Sequence, residues 1–498
     1  MITLRDYQQQ SADEIRIAYR HGYRAPLLVA PTGSGKTVLF SYIAHHAAAR
    51  SNNVLILVHR QELLTQTSRT LGDMGVDHGL VARGMTFTRA KVQVASVQTL
   101  VRRMHRMQWQ PSMIVVDEAH HATGKTTWGK VLQHYSGAFV LGVTATPERL
   151  DGQGLGVDAG GFFDALVLGP SVSALVGEGY LSQPVVYAPA TADLSAVHTR
   201  MGDYVKSELS AAMDRPTITG DACQHYRRHC HNEPAIAFCC SVAHAENVAE
   251  QFRAAGYQAA SIDGKLDGQV RRQRIADLAD GQLHVLTSCE IISEGVDIPV
   301  VSAAILLRPT QSLGLSLQQM GRALRPHPGK ERALILDHAG NCLRHGLPDD
   351  DREWSLAGGK RSGRRTTDEP NIPIRQCERC YHVHRPAPAC PKCGFVYEVQ
   401  SRQIDEVEGE LQQVDPKALR RSRAYEERQA RTYKELVELG KTREYNNPHG
   451  WANRRMVGRA KSMRDLIDLA HELGRKNPEK WAGFLWQSHR ANRHKRAA

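Results

Sequence analysis

Three short stretches of this chain combine residue types that can work together on a nucleoside triphosphate. Ala30-Pro31-Thr32-Gly33-Ser34-Gly35-Lys36-Thr37 is a glycine-rich loop closed by a lysine and a hydroxyl. Its glycines let backbone N–H groups turn inward onto phosphate oxygens, Lys36 reaches the β- and γ-phosphates, and the Thr37 hydroxyl suits Mg2+. Asp117-Glu118-Ala119-His120 follows the apolar run Met113-Ile114-Val115-Val116. Asp117 suits Mg2+, and Glu118 suits polarising an attacking water. Gln318-Gln319-Met320-Gly321-Arg322-Ala323-Leu324-Arg325 sets two arginines three residues apart, which on a helix gives them one face. Coming from a distant part of the chain, Arg322 and Arg325 meet a γ-phosphate only if two units close over the nucleotide. Lys36, Asp117, Glu118, Gln318, Arg322 and Arg325 are therefore the expected catalytic set.

The elements around these residues alternate. Residues 1–20 have helical spacing, entered from Thr3; Pro26 to Ala30 is a short apolar run that ends at the loop, and a helical stretch follows through Ala49. Val54–Val58, Val92–Ser96, Met113–Val116 and Phe139–Val143 repeat the strand pattern, with Gln61–Leu71 as a helix between the first two. Continuous rather than alternating apolar runs, separated by helices, predict a parallel sheet covered on both faces. In such a sheet ligands sit at the carboxyl ends of the strands, which turns Asp117 and Glu118 toward the loop. A second set begins near Pro234, with strands expected at 235–239, 258–262, 284–287, 303–307 and 333–336. The segment 186–232 reads as a connection with one or two helices. No internal repeat is evident beyond the likeness of the two α/β halves.

Past Asp349 the composition changes. A Gly/Arg/Ser-rich stretch reads as a flexible linker, and Cys377-x2-Cys380 with Cys390-x2-Cys393 follows. Two such knuckles bring four thiolates onto one tetrahedral centre, a closed structural Zn2+ site with no open position for catalysis. His382 and His384 lie between the knuckles and are expected at the surface. The other six cysteines are scattered, and read as buried apolar residues rather than disulfides. The formal charge is +12, and from Lys417 onward 21 Lys+Arg stand against 9 Asp+Glu. A basic tail on a neutral body suits a polyanion. Arg454, Arg455 and Arg459 with Trp451, Trp481 and Trp486 fit single-strand binding, or a small bundle with the tryptophans as its core. No apolar run approaches the length of a bilayer span, and the polar start is no signal peptide, so a cytoplasmic protein is expected.

Together these motifs resemble those of superfamily 2 DEAD/DEAH-box helicases over residues 1–345. Leu4-Arg5-Asp6-Tyr7-Gln8 looks like the Q-motif, implying that Gln8 reads the adenine edge with Arg5 beside it, while Pro31, Thr32, Gly33, Ser34, Gly35, Lys36 and Thr37 hold the phosphates. His59, Arg60, Ser96, Gln98 and Thr99 resemble motifs Ia and Ib, which touch the nucleic-acid backbone. Ser241, Thr287 and Ser288 join that set, and Gly295 and Asp297 resemble motif V, with Asp297 on the ribose. Thr144 and Thr146 resemble motif III, coupling the two sites with His120 as partner. Thr146 to Gly152, Gln318 to Pro326 and Leu336 to Asn341, followed by the cysteine knuckles, look most like RadD-type repair helicases and their phage-encoded relatives; the basic tail has no clear match there.

The expectation is an α/β chain of two tandem RecA-like P-loop domains, 1–188 and 189–350. A linker (351–370), a zinc ribbon (371–400), an acidic linker (401–416) and a basic helical domain (417–498) follow. ATP and Mg2+, the latter at Thr37 and Asp117, would bind between the two domains, with single-stranded or branched DNA across their opposite face. The expected activity is that of a monomeric ATP-dependent DNA helicase or translocase in repair, recombination or replication, with a protein partner open to the ribbon or tail. RNA in place of DNA, the translocase subunit of a restriction system, and an ATP-switched recruitment protein are the rival readings.

Overall fold

The computed structural model describes residues 3–149, 151–188, 197–200, 203–214, 216–289, 298–358, 374–397, 424–443, 445, 447–460, 462–475, 477–483 and 485–486. Gly295, Asp297 and the acidic linker lie outside the described residues. The chain divides into two compact units, Met1–Val399 and Gln400–Ala498.

The first unit holds two lobes. In the first, seven parallel strands run in the order His78–Val81, Val92–Ser96, Val54–Val58, Met113–Asp117, Phe139–Thr144, Pro26–Val29, Ala165–Leu168. The apolar runs read from the sequence are buried along their whole length at Pro26–Val29 and Val54–Val58. Each fully buried Leu, Ile or Val there contributes about 1.5–3 kcal/mol of burial. Pro26–Val29 and Met113–Asp117 both neighbour Phe139–Thr144, so the phosphate loop, the acidic pair and Thr144 emerge side by side.

The second lobe is an eight-stranded sheet in the order Ala259–Ile262, Val285–Ser288, Ala235–Phe238, Ala303–Leu306, Arg332–Asp337, Gln183–Tyr187, His382–His384, Arg375–Gln376. Two of these strands correct the expected boundaries. Gln183–Tyr187, placed by the sequence in the first domain, pairs in parallel with Arg332–Asp337. Leu175 and Leu181 before it already pack in the second lobe's core. The ribbon strand His382–His384 then pairs antiparallel with Gln183–Tyr187. The expected free-standing ribbon is thus a hairpin that covers the edge of the motor sheet, protecting a strand that would otherwise expose its backbone.

The expected linker 351–370 begins as a strap instead. Trp354 and Leu356 pack on the first lobe's core beside Leu155 and Phe163, and the Gly156 N–H donates to the Leu356 carbonyl at 2.9 Å. A Cβ on Gly154 would stand 2.2 Å from that carbonyl oxygen, so the close approach requires glycine there.

The second unit is helical and, contrary to the sequence reading, repetitive. Thr432-Tyr433-Lys434-Glu435-Leu436-Val437-Glu438-Leu439 returns thirty residues on as Ser462-Met463-Arg464-Asp465-Leu466-Ile467-Asp468-Leu469. Asn447-Pro448 and Trp451-Ala452 return likewise as Asn477-Pro478 and Trp481-Ala482. Helices Tyr433–Thr442 and Met463–Glu472 both start in capping boxes, Thr432 with Glu435 and Ser462 with Asp465. Trp451 and Trp481 both donate their backbone N–H to the carbonyl of the Asn four residues back. The repeat escapes a first reading because strict identities are few: most matched positions keep only the residue type, as in Thr432 with Ser462 and Glu435 with Asp465.

Candidate active site

The phosphate loop lies between the strand Pro26–Val29 and the helix Lys36–Ala49. Gly33 and Gly35 have φ of 90° and 75°, the left-handed conformation that glycine adopts without strain. A Cβ on Gly35 would also meet Gln8 Nε2 at 2.5 Å. The Lys36 ammonium donates to the carbonyls of Ala30 and Pro31 at 3.1 Å each. Burial pulls Lys36 below the usual lysine range, and the Glu118 and Asp117 carboxylates oppose that shift.

Asp117 ends its strand buried and accepts the Glu118 N–H at 3.0 Å. Glu118 has φ 51°, ψ 52°, a strained conformation for a non-glycine residue and one that recurs at active sites. From there a polar chain runs inward: His120 Nδ1 lies 3.5 Å from Glu118 Oε2 and 3.0 Å from Thr144 Oγ1. The Thr144 hydroxyl donates to the Thr146 carbonyl at 2.9 Å. The three residues expected to couple the sites are therefore one hydrogen-bonded series, whose first member, His120, lies within ion-pair range of Glu118.

The second lobe delivers the arginines. The helix Leu313–Gly321 ends before them, and Arg322 and Arg325 sit on the following turn rather than on a shared helical face. Pro326 bars helical conformation at Arg325 itself, since a residue before proline disfavours it. They face the loop nonetheless: Gln318, Arg322 and Arg325 line a cleft of about 1020 Å³ together with Thr32, Gly33, Gly35, Lys36, Thr37, Asp117 and Glu118. Burial holds Arg325 down to about 10, still cationic at neutral pH. The lobes touch closely, because a Cβ on Gly321 would stand 2.8 Å from the Thr32 Cβ, and one on Gly314 2.7 Å from Thr146 Oγ1.

Several cleft residues escaped the sequence reading. Gln8, expected on adenine, has its amide engaged with the loop: Oε1 accepts the Arg5 N–H at 3.1 Å, and Nε2 donates to the Ser34 carbonyl at 3.1 Å. The Tyr7 hydroxyl donates to that same carbonyl at 3.0 Å. The Arg5 guanidinium lies 4.6 Å from the ring centre of Tyr180, which leaves Tyr180 as the aromatic wall at this end of the cleft. Arg271 of the second lobe reaches Glu62 of the first at 3.3 Å. No motif spacing flags Tyr180 or Arg271; only the fold brings them here.

Of the strand-contact candidates, Gln98 donates to the His59 carbonyl at 3.1 Å and accepts from the Ser96 hydroxyl at 2.8 Å. With Arg60 at the start of the helix Gln61–Asp73 and Thr99 in Val97–Arg103, they form a ledge at the ends of two paired strands. The second-lobe candidates differ. Thr287 is fully buried and its hydroxyl donates to the Ala245 carbonyl at 2.7 Å, while Ser288 is 1% exposed. Both brace the core in this conformation rather than face a strand, and Ser241 caps the helix Val242–Ala254.

In the ribbon, the sulfurs of Cys377, Cys380, Cys390 and Cys393 all lie within 4.8 Å of one another. Cys377 and Cys393 are 3.6 Å apart and Cys380 and Cys390 3.7 Å, close to the edge of about 3.8 Å that a tetrahedron with Zn–S of 2.3 Å requires. The knuckles match in backbone too: each first cysteine accepts an N–H from four residues on and donates its own N–H to the carbonyl five residues on. The donor set and its spacing fit a structural zinc. His384, expected at the surface, is 6% exposed and hydrogen-bonded to the Tyr397 hydroxyl at 2.7 Å, and His382 binds the Val186 carbonyl at 3.0 Å.

Fold and site together define a two-lobed P-loop ATPase with its catalytic groups divided across a cleft. Residues 1–149 match the family model described as the res subunit of type III restriction enzyme, and residues 221–327 match the helicase conserved C-terminal domain. A 51.5 kDa protein of Lactococcus phage (isolate 7-9) is 30% identical over 380 residues, which are 76% of this chain and 79% of that one. A Saccharomyces cerevisiae protein provisionally named ATP-dependent helicase IRC3 is 29% identical over 359 residues, 68% of this chain and 51% of its own. Among solved structures, the ATP-dependent type ISP restriction-modification enzyme LlaBIII bound to DNA aligns with a TM-score of 0.50 at 18% identity, over 67% of this chain and 27% of that one. The chain belongs to the superfamily 2 helicases, with a first lobe of restriction-enzyme type, and it is a nucleic-acid-dependent ATPase. Among the described residues no helix is long and apolar enough to cross a membrane.

Proposed function

We propose that this protein is an ATP-driven DNA helicase or translocase serving DNA repair, recombination or replication. The observation that carries this reading is the cleft itself, where Arg322 and Arg325 from one lobe meet Lys36, Asp117 and Glu118 of the other. Lys36, Thr37 and Asp117 would hold MgATP, which supplies the hydrolysable phosphoanhydride. Glu118 orients the attacking water, and the arginines neutralise charge that develops on the γ-phosphate. Closure is needed to assemble this set, so each turnover moves one lobe against the other. The series Glu118–His120–Thr144–Thr146 ends against Gly314 of the second lobe, a direct route from hydrolysis to lobe contact. The ledge of His59, Arg60, Ser96 and Gln98 is the strand contact proposed for the first lobe, and the ribbon zinc is structural.

DNA is favoured as the track because the similar restriction-modification enzyme was solved bound to DNA. The restriction-type first lobe also supports a second reading, a translocase subunit of a restriction system. The test is ATP hydrolysis with single-stranded DNA, duplex, forked DNA and RNA, with Glu118→Gln as the blank. DNA stimulation that the blank lacks supports the motor, stimulation by RNA alone moves it to RNA, and indifference to every nucleic acid removes the reading.

A further inference from the structure

The thirty-residue pattern of the C-terminal unit extends beyond two hairpins. Leu485 and Trp486 of the second copy pack with Val457 and Ala460 at the end of the first. Thirty residues earlier, Met456 packs with Ala430, and Arg455 reaches Glu427 at 3.2 Å. Residues 424–430 therefore stand toward the first copy as 454–460 stand toward the second. Each unit touches its neighbour through the same positions, which is the geometry of a helical repeat array. One junction is ionic, with Arg443 held by Glu426 at 2.7 Å and Glu427 at 2.9 Å. The other is apolar.

The tryptophans belong to this scaffold. Trp451 packs with Leu436 and Ala452 under the guanidinium groups of Arg443 and Arg455, and Trp481 packs with Leu466 and Ala482 under that of Arg475. Both rings are partly buried, with these guanidinium groups 5.5–6.0 Å from the ring centres.

One retained pair has no such explanation. Lys434 and Arg464 occupy the same place in the two copies, exposed in the first turn of their helices. A cation there opposes the helix dipole, at a cost of about 0.3–1 kcal/mol, so neither helix stability nor packing accounts for its double occurrence. The retained carboxylates beside it have structural uses in part: Glu435 and Asp465 complete the caps, and Glu438 pairs with Lys441 at 2.7 Å, while Asp468 is exposed.

We propose that the array is a backbone-reading nucleic-acid module, in which Lys434 and Arg464 place equivalent cations on phosphates of one strand. This rests on the nucleic-acid reading of the motor. With the tryptophans engaged in the scaffold, contact is with phosphates rather than stacked bases, so binding is independent of sequence and depends steeply on salt. The experiment is anisotropy of a fluorescein-labelled oligo-dT with the full-length protein across a salt series. Lys434→Gln and Arg464→Gln are each expected to lower the slope of log Kd against log salt by about 0.7, and the double variant by about 1.4. The swap Lys434→Arg/Arg464→Lys should keep the wild-type slope. An unchanged slope in the double variant at unaltered helicity, or an effect confined to one copy, overturns the array proposal. DNA-stimulated ATPase in the same proteins separates the readings. If wild type is stimulated and the slope does not move, only the array fails; if nothing stimulates wild type, the motor reading fails as well.

Discussion

The two motor lobes are each built on a mainly parallel sheet with helices on its faces, yet they place their chemistry differently. In the first lobe it sits at strand ends: the loop follows Pro26–Val29, Asp117 closes its strand, and Thr144 closes the next. In the second lobe the corresponding ends are structural. Thr287 and Ser288 are buried, and Asp337 accepts the N–H groups of Ala339, Asn341 and Cys342. Its contribution comes instead from Gln318 and from the turn that carries Arg322 and Arg325. In the proposed reading, one lobe holds the nucleotide and the other completes the site.

That contrast is open to direct attack. Arg322→Ala and Arg325→Ala should each cut kcat by roughly 10³-fold or more while leaving affinity for a non-hydrolysable ATP analogue within about threefold, a difference of ~0.7 kcal/mol or less. Lys36→Ala should lose the affinity itself. Equal loss of binding in the arginine variants, measured by calorimetry, would erase the distinction between holding and completing. Glu118→Gln should lower kcat by about 10²–10⁴-fold with nucleotide affinity kept, since a backbone strained at Glu118 is arranged for the reaction rather than for binding. Gly321→Ala sharpens the comparison, because its new Cβ would stand 2.8 Å from Thr32. Turnover should fall by about 10²-fold through misplacement of the arginine turn, with ATP affinity little changed; a normal kcat would mean that the lobes need not approach this closely.

A smaller effect concerns stability. Burial holds His338 down to about 3 and His229 down to about 4, both in the second lobe's surroundings. They stay neutral when folded, whereas the unfolded chain takes up protons as pH falls through about 6.5. Stability present above that pH is thus lost on acidification and levels off only below the folded values. For His338 the loss between pH 7 and pH 5 is about 2 kcal/mol, and His338→Phe should flatten the profile seen by calorimetry.

Much of this site was legible because phosphate chemistry demands local patterns. A glycine loop between strand and helix, a carboxylate pair after an apolar strand, and paired Cys-x2-Cys knuckles are each fixed over a few consecutive residues. What failed depended on partners far away. Nothing near Gln183–Tyr187 says which sheet it joins, because an apolar strand fits either; pairing with Arg332–Asp337 decides it. Tyr180 becomes a cleft wall only because Arg5 lies over it. Thr287 fits a strand-contact motif, yet its hydroxyl is spent on Ala245. The thirty-residue repeat was present in the sequence throughout, but only matching caps and matching junctions gave its sparse identities a meaning.

The sequence by itself determined the nucleotide-binding loop, the acidic pair, the clustering of four cysteines and the alternation that makes two mainly parallel sheets, all consequences of short-range geometry and periodicity. Tertiary structure alone decided that the ribbon seals the edge of the second sheet, that the chain between Arg332–Asp337 and the ribbon straps back onto the first lobe, and that the arginines meet the loop. Those are contacts between segments distant along the chain, and their favourable pairing is a property of the assembled surfaces rather than of any window of residues.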